Sequence, residues 1–300
     1  MTNSEITNVI LGDTEASALY MGDRLVWERG YGENTFACKF TDDSTDYNWF
    51  FTVYLDGGSK NYQYVEFSTP TPNVKIEEED LPSSFNRIEF GLNCKPEHIY
   101  HLPKVFSQAK SCYNMFCPKS GNSSLKSIEL RSFDASNVTD MYYMFRLCDS
   151  LEYVDLSSLE TSKVVDMSSM FEGCISLPEL DLSNFNITKV QYMNKMFYRC
   201  TALSKINLGN MDFTNVLDTV GLLGECTSLS TVIGNIRGLH DSIHLGSCPL
   251  TNESAMVFIN GLAEITAYYP TITFSAQTYD TLTSDQIAIA TSKGWNVVRG

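Results

Sequence analysis

Glu129, Asp155 and Asp181 recur at one fixed interval along the chain, and Asn207 continues it. Aligned carboxylates can divide acid and base work at a glycosidic bond or hold a hard cation such as Ca2+. A second column two positions earlier holds Ser127, Tyr153, Glu179 and Lys205. Each member lies in a run of the form SLEYVDL, where alternation turns both columns outward. The plainer reading of Asp in L-D-L-S is a solvated strand face running into a turn. Cysteine is the other reactive type. Cys148, Cys174, Cys200 and Cys226 recur at the same interval, and a free Cys repeated in one slot reads as a small buried core group. Cys112 and Cys117 lack the C-x2-C spacing of a zinc site. His240 and His244 fall on or beside SIHL, read as strand, which separates an i, i+4 pair too far to chelate. No G-x-S-x-G, P-loop, H-E-x-x-H or dinucleotide-binding glycine pattern occurs. The expectation is therefore no catalytic residue, no cofactor and no metal.

These residues must be positioned by a repeat. The cysteine register also carries Met144-Phe145, Met170-Phe171, Met196-Phe197 and Leu222-Leu223, with Val138, Val164, Val190 and Val216 before them. After the cysteines come SLEYVDL, SLPELDL, ALSKINL and SLSTVIG, and SLKSIEL precedes the set. A fixed period of this kind marks a stack in which each unit buries its apolar side only against its neighbours. L-x-x-L-x-L reads as a short parallel strand. The V-x-x-M-x-x-M-F-x-x-C half, with apolar residues three and four apart, reads as a helical or 3₁₀-like return.

The segments VTDMYYMFRLCDSLEYVDLSSL (138–159) and VVDMSSMFEGCISLPELDLSNF (164–185), with a third copy from Val190, resemble the BspA-type leucine-rich repeat of bacterial surface proteins. The resemblance covers about 124–233 and implies a parallel-strand solenoid. FNRIEFGLN (85–93) reads as an earlier, degenerate rung, and YNMFC (113–117) as part of an enlarged first repeat serving as a cap.

The flanks read differently. Residues 5–28 alternate and turn at Gly12-Asp13 and Gly22-Asp23; ALYMGDRLVWE is similar to a small β-module that begins many proteins of gut bacteria and their phages. Residues 35–78 carry three strand-like runs of an antiparallel β domain. NESAMVFINGLAEI (252–265) reads as a helix capped by its own Asn or Ser, TITFSAQTY (271–279) as a strand, and LTSDQIAIATSKGW (282–295) as a capped helix ending at Gly294. Residues 279–295 are similar to the terminal unit of related repeat proteins from phages and gut bacteria. The organisation expected is a short β module (1–30), an antiparallel β domain (31–82), an N-terminal cap with a degenerate repeat (83–123), leucine-rich repeats (124–240) and an α/β cap (241–300). The fold class is α+β with a repeat core.

The chain carries 36 Asp+Glu against 21 Lys+Arg, a formal net charge of −15. So acidic a surface excludes nucleic-acid binding through a general basic face. No run approaches the roughly 20 apolar residues of a bilayer span, and the first residues show no secretory signal. With the end-module resemblances, this reads as a non-enzymatic structural and adhesive protein of a bacteriophage particle, made in a bacterial cytoplasm. Its N-terminal modules would attach to the virion, and its repeat face would meet a host-surface protein or glycan. Such particle proteins are usually homo-oligomers. The alternative is a BspA-type adhesin on the bacterial surface.

Overall fold

The computed structural model describes residues 110–118, 123, 125–130 and 133–300, together with the backbone of seven strands nearer the N-terminus. Those strands are β1 (Ala18–Met21), β2 (Arg24–Glu28), β3 (Thr35–Thr41), β4 (Asp46–Leu55), β5 (Tyr62–Phe67), β6 (Ile88–Phe90) and β7 (His98–Ile99). β1 and β2 form an antiparallel hairpin with Met21 opposite Arg24. β3, β4 and β5 are antiparallel neighbours, and β6 adds to β5 in parallel. This corrects the reading of 85–93 as the first rung: the strand that precedes the repeats in their own sheet is β7. Three strand residues carry too little pattern to say which sheet they join. The expected turns at Gly12-Asp13 and Gly22-Asp23 lie outside the described residues.

The repeat strands are β8 (Ser127–Glu129), β9 (Tyr153–Asp155), β10 (Glu179–Asp181), β11 (Lys205–Asn207) and β12 (Thr231–Ile233). β7, β8 and β9 form one parallel sheet and β10, β11 and β12 another. Paired strand residues are successive members of one repeat column, as in Glu129↔Asp155 and Leu180↔Ile206.

The return arm is a run of turns rather than a helix, and a 3₁₀ turn at Phe213–Asn215 stands just before the arm that opens at Val216. Its hydrogen bonds explain why. Met144, Arg146 and Cys148 donate to carbonyls three positions back, whereas Met141, Tyr143, Phe145 and Leu147 donate to Asp166, Ser168, Met170 and Glu172 of the next rung. Bonds that alternate between own turn and neighbour require the backbone to reverse hand. Accordingly Tyr143, Ser169 and Lys195 have φ of 62°, 51° and 55°, and Leu147, Arg199 and Glu225 have 58°, 61° and 58°. Each left-handed non-glycine residue costs about 1–2 kcal/mol, offset by a ladder bond that a continuous helix would forgo.

Between strand and arm lies the core. Phe116, Phe145, Phe171 and Phe197 stack ring on ring, and Met141, Met167 and Met193 are fully buried beside them. The C-terminal end is β13 (Ile243–Leu245), α1 (Asn252–Gly261), β14 (Thr271–Phe274), α2 (Ala276–Tyr279), α3 (Ser284–Ser292) and β15 (Asn296–Arg299). Two expectations are corrected here. The α1 cap is Thr251, whose side chain accepts the Ser254 N–H. Residues 276–279 leave the strand for a helical turn capped by Ser275. α3 has the reciprocal box of Thr283 and Gln286, and Gly294 takes φ of 85°. A Cβ at Gly294 would lie 2.1 Å from the Ile265 carbonyl oxygen, so only glycine fits that stop.

Candidate binding face

The period-two pattern predicts that strand residues flanking a buried centre point outward, and Ile128, Leu180, Ile206 and Val232 are the buried centres. Outward on β8 and β9 stand Ser127 beside Tyr153 and Glu129 beside Asp155. On β10 and β11 stand Glu179 beside Lys205 and Asp181 beside Asn207. Members of each column are thus brought together within each pair of strands. The two foursomes belong to separate three-stranded sheets. Tyr153 is 50% exposed, an open aromatic surface. Glu179 Oε2 accepts from Lys205 Nζ at 3.0 Å, with both side chains about half in solvent. A pair so exposed adds little to stability and leaves both charges available to a partner.

The acidic column has a structural occupation. Asp155 Oδ1 accepts the N–H of Ser157, Asp181 that of Ser183, and Asn207 that of Gly209, all at 2.9–3.1 Å. These are Asx turns that bend the chain out of each strand. The hydrogen bonds to Ser183 hold the Asp181 carboxyl below its ordinary value. Depressed and turn-bound, it is unsuited to serve as a general acid near neutral pH. Two further corners use the same device. Asp134, Glu160, Asn186 and Asp212 accept from the residue two ahead, as do Asp140, Asp166 and Asp218. The rungs are therefore cornered by acceptors that recur with the repeat, most of them carboxylates.

The cysteine column lies opposite. Cys148, Cys174, Cys200 and Cys226 are fully buried, and their thiols donate to the carbonyls of Phe116, Phe145, Phe171 and Phe197 at 3.0–3.2 Å. Cys248 continues the series to Leu223. The slot thus selects a donor as well as a small apolar group. Burial pushes the Cys200 thiol up to about 12 and that of Cys248 up to about 11, so neither is a nucleophile at neutral pH. Among the described residues no three His, Cys, Asp or Glu side chains gather to hold a metal ion. None of their helices is long and apolar enough to cross a membrane.

A feature the sequence reading passed over lies on the arms. Tyr113, Tyr142 and Tyr143 cluster with ring centroids 3.7–6.0 Å apart, and the Arg146 guanidinium sits 4.5 Å over Tyr143 while pairing with Glu172. The M-Y-Y-M spelling, where the next rung has M-S-S-M, was the available signal.

No curated protein matches the chain. The crystal structure of the T. pallidum leucine-rich repeat protein aligns over 63% of this chain and 86% of its own at 13% identity, with a TM-score of 0.26, too loose an overlay to support an argument. Residues 110–236 match the family described as "Mycoplasma protein of unknown function, DUF285". The parallel repeat register and the L-x-x-L-x-L strands lie within that span, so the central segment is a parallel-strand repeat, and it is similar to that family.

Proposed function

We propose that this chain is a non-enzymatic recognition protein whose repeat strands present a surface to a protein or glycan outside the cell. The observation that supports this most is the outward column pair, with Tyr153 half exposed on β9 and the Glu179–Lys205 ion pair across β10 and β11. Within each half the strands are held in register by a parallel ladder, so little conformational entropy is lost when a partner docks, and exposed aromatics dominate interface energies. The site comprises Ser127, Glu129, Tyr153, Asp155, Glu179, Asp181, Lys205 and Asn207. Of these, Tyr153, Glu179 and Lys205 make the contacts, while Asp155, Asp181 and Asn207 set their spacing. Like the repeats it resembles, the protein is proposed to act at a bacterial surface. The phage-particle reading draws instead on the resemblance of residues 18–28 and 279–295 to modules of proteins from gut bacteria and their phages. Mass spectrometry of purified particles decides between them, since absence from particles ends the virion reading.

The face itself is tested on printed panels of glycans and extracellular-matrix proteins, read by fluorescence of the labelled chain. Tyr153→Ala with Glu179→Ala is expected to weaken binding at least tenfold, about 1.4 kcal/mol, with Tm unchanged. Unaltered binding would move the site off the strands.

A further inference from the structure

We propose that the repeat stack has a built-in joint between β9 and β10, and that the candidate face is recognised in two halves that articulate there. The second clause rests on the function proposed above; the joint itself does not. At the other junctions from β8 to β12 the same three bonds recur. Glu152 N–H and Tyr153 N–H donate to the Lys126 carbonyl, and Leu130 N–H to that of Asp155. Ser204, Lys205 and Leu182 do likewise to Pro178 and Asn207, and Ser230, Thr231 and Leu208 to Ser204 and Ile233. Between β9 and β10 none of the three forms, and the sheet divides there.

The cause is one residue. Pro178 occupies the slot of Glu152, Ser204 and Ser230, and proline has no N–H to give. The Glu179 and Leu156 bonds are lost with it. Two independent features agree. Val154 is only partly buried where Ile128, Leu180 and Ile206 are fully so. Side chains replace backbone as the tie: Asn184 Nδ2 donates to the Leu156 and Leu159 carbonyls, and the Thr161 hydroxyl both accepts the Asn186 N–H and donates to its carbonyl.

The arms stay closed across the same junction, with Met141, Tyr143, Phe145 and Leu147 donating to Asp166, Ser168, Met170 and Glu172. The stack is therefore laced on its arm side and open on its strand side, the arrangement of a hinge. Ser127, Glu129, Tyr153 and Asp155 ride on one leaf, and Glu179, Asp181, Lys205 and Asn207 on the other. A partner spanning both sets their angle by the contacts it makes in each state.

Amide hydrogen exchange resolved to single residues tests the joint without any partner. The Val154, Leu156, Glu179 and Asp181 amides are expected to exchange at least tenfold faster than those of Leu130, Leu182 and Leu208. Pro178→Ser, the residue of the next two rungs, is expected to restore protection at Leu156 and Glu179, and Asn184→Ala to speed exchange at Leu156 in an otherwise folded chain. Equal protection at all junctions, or a Pro178→Ser chain that exchanges as before, would overturn the joint. On the panels above, a Pro178→Ser chain that binds as tightly as the native one would overturn the two-halves clause alone. Loss of binding by the Tyr153 and Glu179 variant is a separate result bearing on the face.

Discussion

At the residue scale, one atom type decides each corner and each core slot. The thiol of Cys174 fills a space and satisfies the Phe145 carbonyl at 3.1 Å. That carbonyl also accepts the Cys148 N–H, so loss of the thiol removes one of its two bonds, worth about 0.5–1.5 kcal/mol. Cys174→Val is therefore expected to lower stability by about that amount in urea titration, and a change below measurement error would show that the sulfur only fills volume. Reactivity follows the same logic. Cys112, Cys117, Cys148, Cys174, Cys200, Cys226 and Cys248 are all buried and in no disulfide, so an aromatic disulfide reagent is expected to label them only as the chain unfolds. The left-handed arm positions add a further expectation. Gly173 has φ of 76°, and a Cβ there would stand 2.8 Å from Leu147 Cδ2. Gly173→Ala is expected to cost about 1–2 kcal/mol, whereas Lys195→Gly, at φ of 55°, is expected to be neutral or stabilising.

At the scale of elements, the arms are held by their aromatic file. Phe197 is almost completely buried against Phe171 on one side, with Leu223 in the equivalent slot of the next rung. Phe197→Ala removes a ring that the laced arm cannot collapse to refill, so a loss of about 3–5 kcal/mol is expected. A loss within measurement error would mean the arm is not core. The arms also show how far pattern reading reaches. Met, Phe and Cys at three- and four-residue steps correctly named the buried set, and the same steps suggested a helix. Which bonds an arm makes depends on the rung beside it, and spacing within one rung does not contain that choice. Likewise Ile88–Phe90 fits the strand consensus as well as β8 does, and only pairing assigns it to β5.

At the scale of the whole molecule, acid is the expected route to unfolding. Hydrogen bonds from residues two positions ahead hold the carboxyls of Asp134, Glu160, Asp181 and Asp212 below their ordinary values. Depressed folded values mean that the unfolded chain binds more protons in the acid range. The stability these groups contribute is complete above the unfolded carboxylate values, about 4, and is lost as pH falls through the lower folded ones. Tm is expected to be flat between pH 7 and 5 and to fall below pH 4. Asp181→Asn keeps the turn, as Asn207 does natively, and is expected to shallow that fall. A Tm insensitive to pH down to 3 would contradict the corner assignment.

Sequence alone determined the period, the buried files, the outward columns and the absence of catalytic motifs, because each is a matter of residue type repeated at a fixed interval, and stacking copies every interval into space. Tertiary structure decided what bonds between rungs reveal. The Asp column proved to be spent on corners, the thiols proved to be donors, and the strand ladder proved to be interrupted beside Pro178. Those outcomes turn on which donor meets which acceptor a full rung away along the chain, a separation over which only folding brings them together.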